Sequence, residues 1–176
     1  MLLLNRSADL PITGSPDYPM AAELENNVAL KKLREFDREV VEDARLFRDE
    51  VTIYILAPYL LRACEFLRDE PGLKFSFLAD VTALDLYPQE PRFEVVYHLL
   101  SLETAQRLRL KVRVSGENPH CLSAFPVWPS ANAFEREVFD LFGIVFDGHP
   151  YLRRIVLPEE WEGYPLRKDY PTEGYR

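Results

Sequence analysis

Cysteine, histidine and glycine are scarce in this chain of 176 residues, and each scarcity removes a class of chemistry. The two cysteines, Cys64 and Cys121, lie far apart with no Cys or His at ligand spacing. A zinc or iron–sulfur site built from one chain normally takes about four such ligands. The three histidines, His98, His120 and His149, fall in different expected elements and form no metal triad. With 7 glycines against 14 prolines, a phosphate-cradling loop has little to be made from. Gly-x-Gly-x-x-Gly, Walker, Gly-x-Ser-x-Gly and Cys-x-x-Cys motifs are all missing. The chain is therefore expected to bind no NADH, FMN, nucleotide, metal or cluster of its own.

Long apolar runs are missing too. No stretch reaches the roughly 18 to 20 residues of a spanning helix, and the run from Met1 to Leu4 is broken at once by Asn5 and Arg6, too early for a signal sequence. A soluble chain on the cytoplasmic side is the expectation. The formal charge of −8 argues against a chain whose task is to neutralise phosphates along a nucleic acid. Hydrophobic residues make up 47%, enough for one domain to build its own core.

Residues 1–19 carry Pro11, Gly14, Pro16 and no sustained period, an irregular leader. From Met20 to Phe36, Leu24, Val28, Leu33 and Phe36 recur at near-helical spacing. Short strands are expected around Val40 and Val41 and over Glu50 to Leu56. Between Pro58 and Asp69, Leu60, Leu61, Cys64 and Leu67 form one apolar helix face, with Cys64 as a small buried thiol. Phe75 to Leu86 reads as a strand with an irregularity at Ala79-Asp80. Residues 93–100 and 107–114 alternate as a hairpin with one buried face. The other face of the second strand carries Arg107, Arg109, Lys111 and Arg113, a solvated stripe with Glu94 as a cross-strand partner.

A further helix is expected from Asn132 as N-cap, with Glu135 as its capping-box partner, Phe134, Val138, Leu141 and Phe142 on its apolar face, and Gly143 as its C′ residue. From Asp147 onward the period vanishes: Pro150, Pro158, Pro165 and Pro171 punctuate a segment that still carries Tyr151, Ile155, Trp161 and Leu166. Long irregular stretches in compact domains usually have a function, and these apolar side chains need a surface to lie on. The reading is a single two-layer α+β domain over residues 20–146, helices on one face of a mixed or antiparallel sheet, followed by an extended C-terminal docking arm over residues 147–176.

The densest group of ionisable residues is Glu135, Arg136, Glu137, Asp140, Asp147, His149, Arg153 and Arg154. A metal-dependent hydrolase would use Glu137, Asp140 and His149, but Glu137 and Asp140 lack the His at i+4 of a zinc helix. The competing reading assigns Glu135 to the cap, places Glu137 near the helix N-terminus, pairs Asp140 with Arg136 at i+4, and leaves His149 as a hydrogen-bonded loop residue.

The run Glu135-Arg136-Glu137-Val138-Phe139-Asp140-Leu141-Phe142-Gly143-Ile144-Val145-Phe146-Asp147-Gly148-His149-Pro150 closely resembles the signature of the thirty-kilodalton subunit family of respiratory complex I. In bacteria that family is the C subunit of NADH-quinone oxidoreductase. Tyr151-Leu152-Arg153-Arg154-Ile155-Val156 and Trp161-Glu162-Gly163-Tyr164-Pro165-Leu166-Arg167-Lys168-Asp169-Tyr170-Pro171 continue the match. Weaker similarity runs through Phe77 to Val81, Arg92 to His98 and Arg107 to Val112, so the resemblance covers roughly residues 50–171. Tyr151 and Tyr164 depart from it, standing where the family usually has an acid and often a His.

The resemblance implies a non-catalytic subunit of the peripheral arm of a proton-translocating NADH:quinone oxidoreductase, which passes electrons from NADH through FMN and iron–sulfur clusters to quinone. It implies no redox centre in this chain, with FMN and the clusters in partner subunits. The implied neighbours are the quinone-site subunit and the subunit holding the terminal iron–sulfur cluster, at the cytoplasmic side of the cell inner membrane and reached only through the complex. An equivalent subunit of a membrane-bound hydrogenase or ferredoxin-dependent complex is the alternative. Interface candidates are Glu135, Arg136, Glu137, Asp140, His149, Arg153, Arg154, Trp161, Arg167 and Lys168.

Overall fold

The computed structural model describes residues 23–174, so the leader expected over residues 1–19 and the first residues of the helix expected from Met20 lie outside the described residues. Helix α1 (Val28–Phe36) opens on Asn27, whose Oδ1 accepts the Leu30 N–H at 3.0 Å. That bond satisfies one of the amides that a helix leaves free at its start. Its Ala29, Leu30 and Leu33 are buried.

Strands β1 (Val41–Phe47) and β2 (Glu50–Ile55) pair through a tight turn at Arg48 and Asp49. The first strand extends beyond the short stretch expected at Val40 and Val41, because Glu42, Asp43 and Arg45 hide its alternation. A charged strand of this kind suits the edge that β1 occupies, where a bulge between Val41 and Asp43 further blunts pairing with other chains. Helix α2 (Leu60–Asp69) follows and buries Leu60, Cys64 and Leu67 of the expected face together with Ala63, while Leu61 at its edge is half-buried.

Strands β3 (Phe77–Asp85), β4 (Phe93–Leu100) and β5 (Arg107–Val114) form an antiparallel meander, with the register of β3 broken between Leu78 and Asp80 at the expected irregularity. The sheet order is β1-β2-β5-β4-β3, and β2 runs parallel to β5 with Ile53 opposite Leu110. The sheet is therefore mixed. Val95, Tyr97, Leu99, Leu108, Leu110 and Val112 point to one face and join α1 and α2 in the main apolar cluster. On the opposite face Glu94 takes Lys111 Nζ at 2.6 Å, Arg113 reaches Glu42 at 2.7 Å, and Arg109 pairs with Glu50. Glu94 is thus the cross-strand partner its position suggests, though the stripe is half-buried and largely ion-paired rather than freely solvated.

Helix α3 (Ala131–Phe142) packs on β3, and the short strands β6 (His120–Leu122) and β7 (Val145–Asp147) on either side of it pair in parallel. Three-residue strands are too short to show a period, so sequence pattern passes over them. The start of α3 differs from expectation. Its N-cap is Ser130, which makes no side-chain cap bond, and Asn132 lies inside the helix rather than ahead of it. Glu135 is not a capping partner; its carboxylate turns into the core instead. Gly143 does end the helix, in left-handed conformation at φ 73° with its N–H on the Phe139 carbonyl at 2.8 Å. Among the described residues no helix is long and apolar enough to cross a membrane.

Leu110 sits in the central β5, fully buried between Ile53 and Tyr97. Leu110→Ala is expected to cost about 2–5 kcal/mol, measured as a lower urea midpoint with an unchanged denaturant slope.

Candidate functional site

Helix α3 holds two carboxylates, Glu135 and Asp140, that are both fully buried and have opposite electrostatic environments. Glu135 accepts the Ser123 hydroxyl and the Ala124 N–H, each at 2.6 Å, and among the described residues no cation pairs with either oxygen. Burial pushes its acid up to about 7, and the two hydrogen bonds offset only part of that. Around it lie Cys64, Cys121 and Tyr97, with the Tyr97 hydroxyl 3.6 Å from the Cys121 sulfur. Burial raises both thiols, Cys121 to about 12, so neither is a ready nucleophile.

Asp140 is held as an anion. One oxygen takes Arg154 Nη1 at 2.6 Å, and the other accepts the successive N–H groups of Ile155, Val156 and Leu157 at 3.0, 2.7 and 2.9 Å. Burial raises its acid, but the Leu157 amide, Arg154 and the other two amides outweigh that and hold it below the usual carboxylate range. The i+4 pair with Arg136 does not form. Arg136 donates instead to the carbonyls of Arg153 and Arg154, both at 3.2 Å, because the chain beyond Pro150 returns over the helix and takes the place of a local partner.

That return is organised by Arg154, whose Nη2 binds the carbonyls of Trp161 and Gly163 at 2.9 and 3.0 Å while Nη1 holds Asp140. Further on, the Leu166 N–H donates to the Leu141 carbonyl at 3.1 Å, and Arg167 Nε to the Phe142 carbonyl at 2.6 Å. A Cβ on Gly143 would stand 2.5 Å from the Tyr164 ring and 2.7 Å from Arg167, so the helix end must be a glycine for the arm to cross it.

The arm has a second anchor, which sequence spacing does not indicate. Arg92, at the start of β4, binds Asp85 through Nε and Nη2 at 2.9 and 2.7 Å and Asp169 through Nη1 and Nη2 at 3.0 and 2.6 Å. Lys168 contributes only its backbone N–H, to Asp85 at 2.8 Å, while its side chain is exposed. Burial alone would raise the Asp85 acid, but Arg92 and the amides of Lys168 and Tyr87 bring it down to about 2. Partners 77 residues apart leave no local signal.

The remaining candidates separate from this assembly. Glu137 is exposed, and Arg153 stacks its guanidinium 4.3 Å from the centre of the Tyr151 ring. His149 is the hydrogen-bonded loop residue its position suggests. Its Nδ1 accepts the Tyr151 N–H at 3.0 Å, which places the proton on Nε2 facing the Asn132 carbonyl at 3.1 Å. Burial and the nearby Arg136 lower its basicity, in keeping with a neutral ring. Asp140 and His149 have their polar atoms engaged within the chain, and no three His, Cys, Asp or Glu among the described residues are grouped to hold a metal. Between its two anchors the arm leaves Ile155, Val156, Trp161 and Leu166 between 41% and 58% exposed.

Because the folded chain holds the Glu135 proton more tightly than the unfolded one, this acid favours folding fully below about pH 4.5, and the benefit fades as pH rises through about 7. Glu135→Gln carries no charge; its amide oxygen can accept the Ala124 N–H, and its amide N–H can donate to the Ser123 hydroxyl oxygen with that bond reversed. Between about pH 5 and pH 8, urea unfolding should show the parent chain losing on the order of 2–3 kcal/mol relative to this variant. Arg154→Ala strands the Asp140 charge and is expected to cost about 3–5 kcal/mol and to open residues 150–166 to trypsin.

A family model described as respiratory-chain NADH dehydrogenase, 30 Kd subunit, matches residues 53–176. The NADH-quinone oxidoreductase C subunit of Roseiflexus sp. (strain RS-1) is 45% identical over 148 residues, 84% of this chain and 85% of that protein. Its counterpart from Geotalea uraniireducens (strain Rf4) is 43% identical over 155 residues, 88% and 93% of the two chains. Among solved structures, a trypsin-resistant fragment of Nqo5 superposes with TM-score 0.56 at 34% identity, covering 70% of this chain and 99% of that one. A chain of the archaeal membrane-bound sulfane sulfur reductase shares the fold, with TM-score 0.67 at 23% identity over 81% and 84%.

Proposed function

Since the chain belongs to the respiratory-chain NADH dehydrogenase 30 Kd subunit family, we propose that it serves its complex as a scaffold without a redox centre of its own. The observation that carries this reading is the use of the ionisable groups. Asp140, Arg154, Asp85, Arg92 and Asp169 are spent on fixing the C-terminal arm to the domain, and none is left directed at a substrate. Among the side chains the arm presents outward are the apolar Ile155, Val156, Trp161 and Leu166, set among the exposed charges of Arg153, Glu159, Glu160, Glu162 and Lys168. Such a patch, held rigid before binding, suits a protein neighbour because little conformational freedom is lost when it is covered.

The neighbours we assign to it are the quinone-site subunit and the subunit with the terminal iron–sulfur cluster, on the cytoplasmic side of the membrane. The FMN and clusters that carry electrons from NADH to quinone belong, in this reading, to partner chains. The chain purified alone is expected to oxidise no NADH and to bind neither flavin nor iron in stoichiometric amount; any of these would overturn the scaffold role. Co-purification of the intact complex tests the electron donor as well. NADH-binding and flavin-binding subunits should accompany the chain, and their absence would favour a hydrogenase or ferredoxin-dependent complex.

A further inference from the structure

The arm is anchored where β3 ends and β4 begins, and the opposite end of the sheet has different features. There, across β2, β5, β4 and β3, runs a trough of about 400 Å³ whose lining includes Asp80, His98 and Arg107. The other three cations of the β5 stripe have acidic partners within the chain: Arg109 has Glu50, Lys111 has Glu94, and Arg113 has Glu42. Among the described residues, Arg107, His98 and Asp80 have neither a side-chain hydrogen bond nor an ion pair. The bulge between Leu78 and Asp80 resets the face to which Asp80 belongs.

Two further features converge on this end. Phe47, Phe77 and Leu102, at the ends of β1, β3 and β4, are 65%, 48% and 67% exposed. The described non-glycine residues with positive φ also gather here: Arg48 and Asp49 in the β1–β2 turn, Lys74 ahead of β3, and Ala105 before β5. Such conformations cost on the order of 1 kcal/mol each and cluster where loops are shaped for contact. Exposed apolar side chains beside charges of both signs that lack ion pairs among the described residues give a partner both apolar area to cover and charges to complement.

We propose that this trough is a second docking surface, taking an amphipathic segment of a neighbouring subunit that presents a carboxylate to Arg107 and His98, a cation to Asp80, and apolar side chains to Phe77 and Leu102. Charge complementarity sets the spacing. Arg107 and Asp80 lie on strands two apart, about 10 Å across the sheet and offset by two residues along it, since Asp80 faces His98 on β4 and Arg107 faces Leu100. One segment can therefore meet both charges while its apolar face lies on the rim. The chain then joins two neighbours, one at each end of its sheet, and this rests on the reading that it is a subunit of a larger complex.

The test places a photo-cross-linking side chain at Leu102 in the chain assembled in its purified parent complex, with a second such chain labelled at Ile155 on the arm. The expected result is a cross-link from Leu102 to another subunit, mapped to a peptide with an acid, a base and apolar residues. Its yield should fall about tenfold when Arg107→Glu and Asp80→Lys are combined, with the thermal unfolding of the isolated chain unchanged. A cross-link from Ile155 but none from Leu102 overturns the second surface alone, as does one from Leu102 to residues 1–22 or to a second copy, or a yield that ignores the charge reversal. Silence from both positions overturns the reading of the arm as a docking surface as well.

Discussion

The C-terminal third depends on one buried anion. Asp140 is removed from water completely, which costs several kcal/mol for an unpaired carboxylate, and the loss is offset by a guanidinium and three successive backbone amides. The segment that supplies those donors has no helix or strand to define its course. Its shape is borrowed from α3: Ile155, Val156 and Leu157 converge on one oxygen, and Arg154 then gathers the carbonyls of Trp161 and Gly163. Without the carboxylate, residues 154–157 would lose four hydrogen bonds to α3, leaving Arg136's bonds to the Arg153 and Arg154 carbonyls and the Arg154 bond to the Asp140 carbonyl to hold this path.

Glu135, five residues earlier on the same helix, shows how far environment decides the role of an acid. Both side chains are fully buried. Asp140 faces donors that favour its charge, whereas Glu135 faces a hydroxyl, an amide and an apolar shell in which the proton is retained until about neutral pH. The charged member binds the arm and the nearly neutral one closes the core behind it. Neither arrangement leaves a carboxylate oxygen free, which fits a helix that joins parts of a structure more than one that handles a substrate.

Much of the domain is legible in the sequence because its signals are periodic and local. The alternation in β4 and β5, the apolar face of α2, the irregularity before Asp80, the Glu94 pairing and the left-handed Gly143 all follow from spacing. The failures share a cause. Spacing assigns Glu135 a capping box and Asp140 an i+4 pair because local partners are all it can supply, and in both cases a distant segment supplies better ones: Ser123 and Ala124 for the first, residues 154–157 for the second. Arg92 and Asp169 are invisible for the same reason, since charges on a strand and in an irregular tail carry no mark of their pairing. Burial of an acid without a local cation is the feature that would reveal such pairs, and burial is a tertiary quantity.

The crossing at Gly143 also fixes an order of events. Tyr164 and Arg167 can settle over the helix end only once that end exists, and Arg92 waits 77 residues for Asp169. During synthesis the sheet and α3 emerge ahead of the arm, with Asp140 still lacking its donors. The last turn of α3 thus lacks these partners until translation has passed residue 157, and the arm acts as a seal on completeness: a chain released early keeps an unneutralised carboxylate on the helix face that the arm should cover.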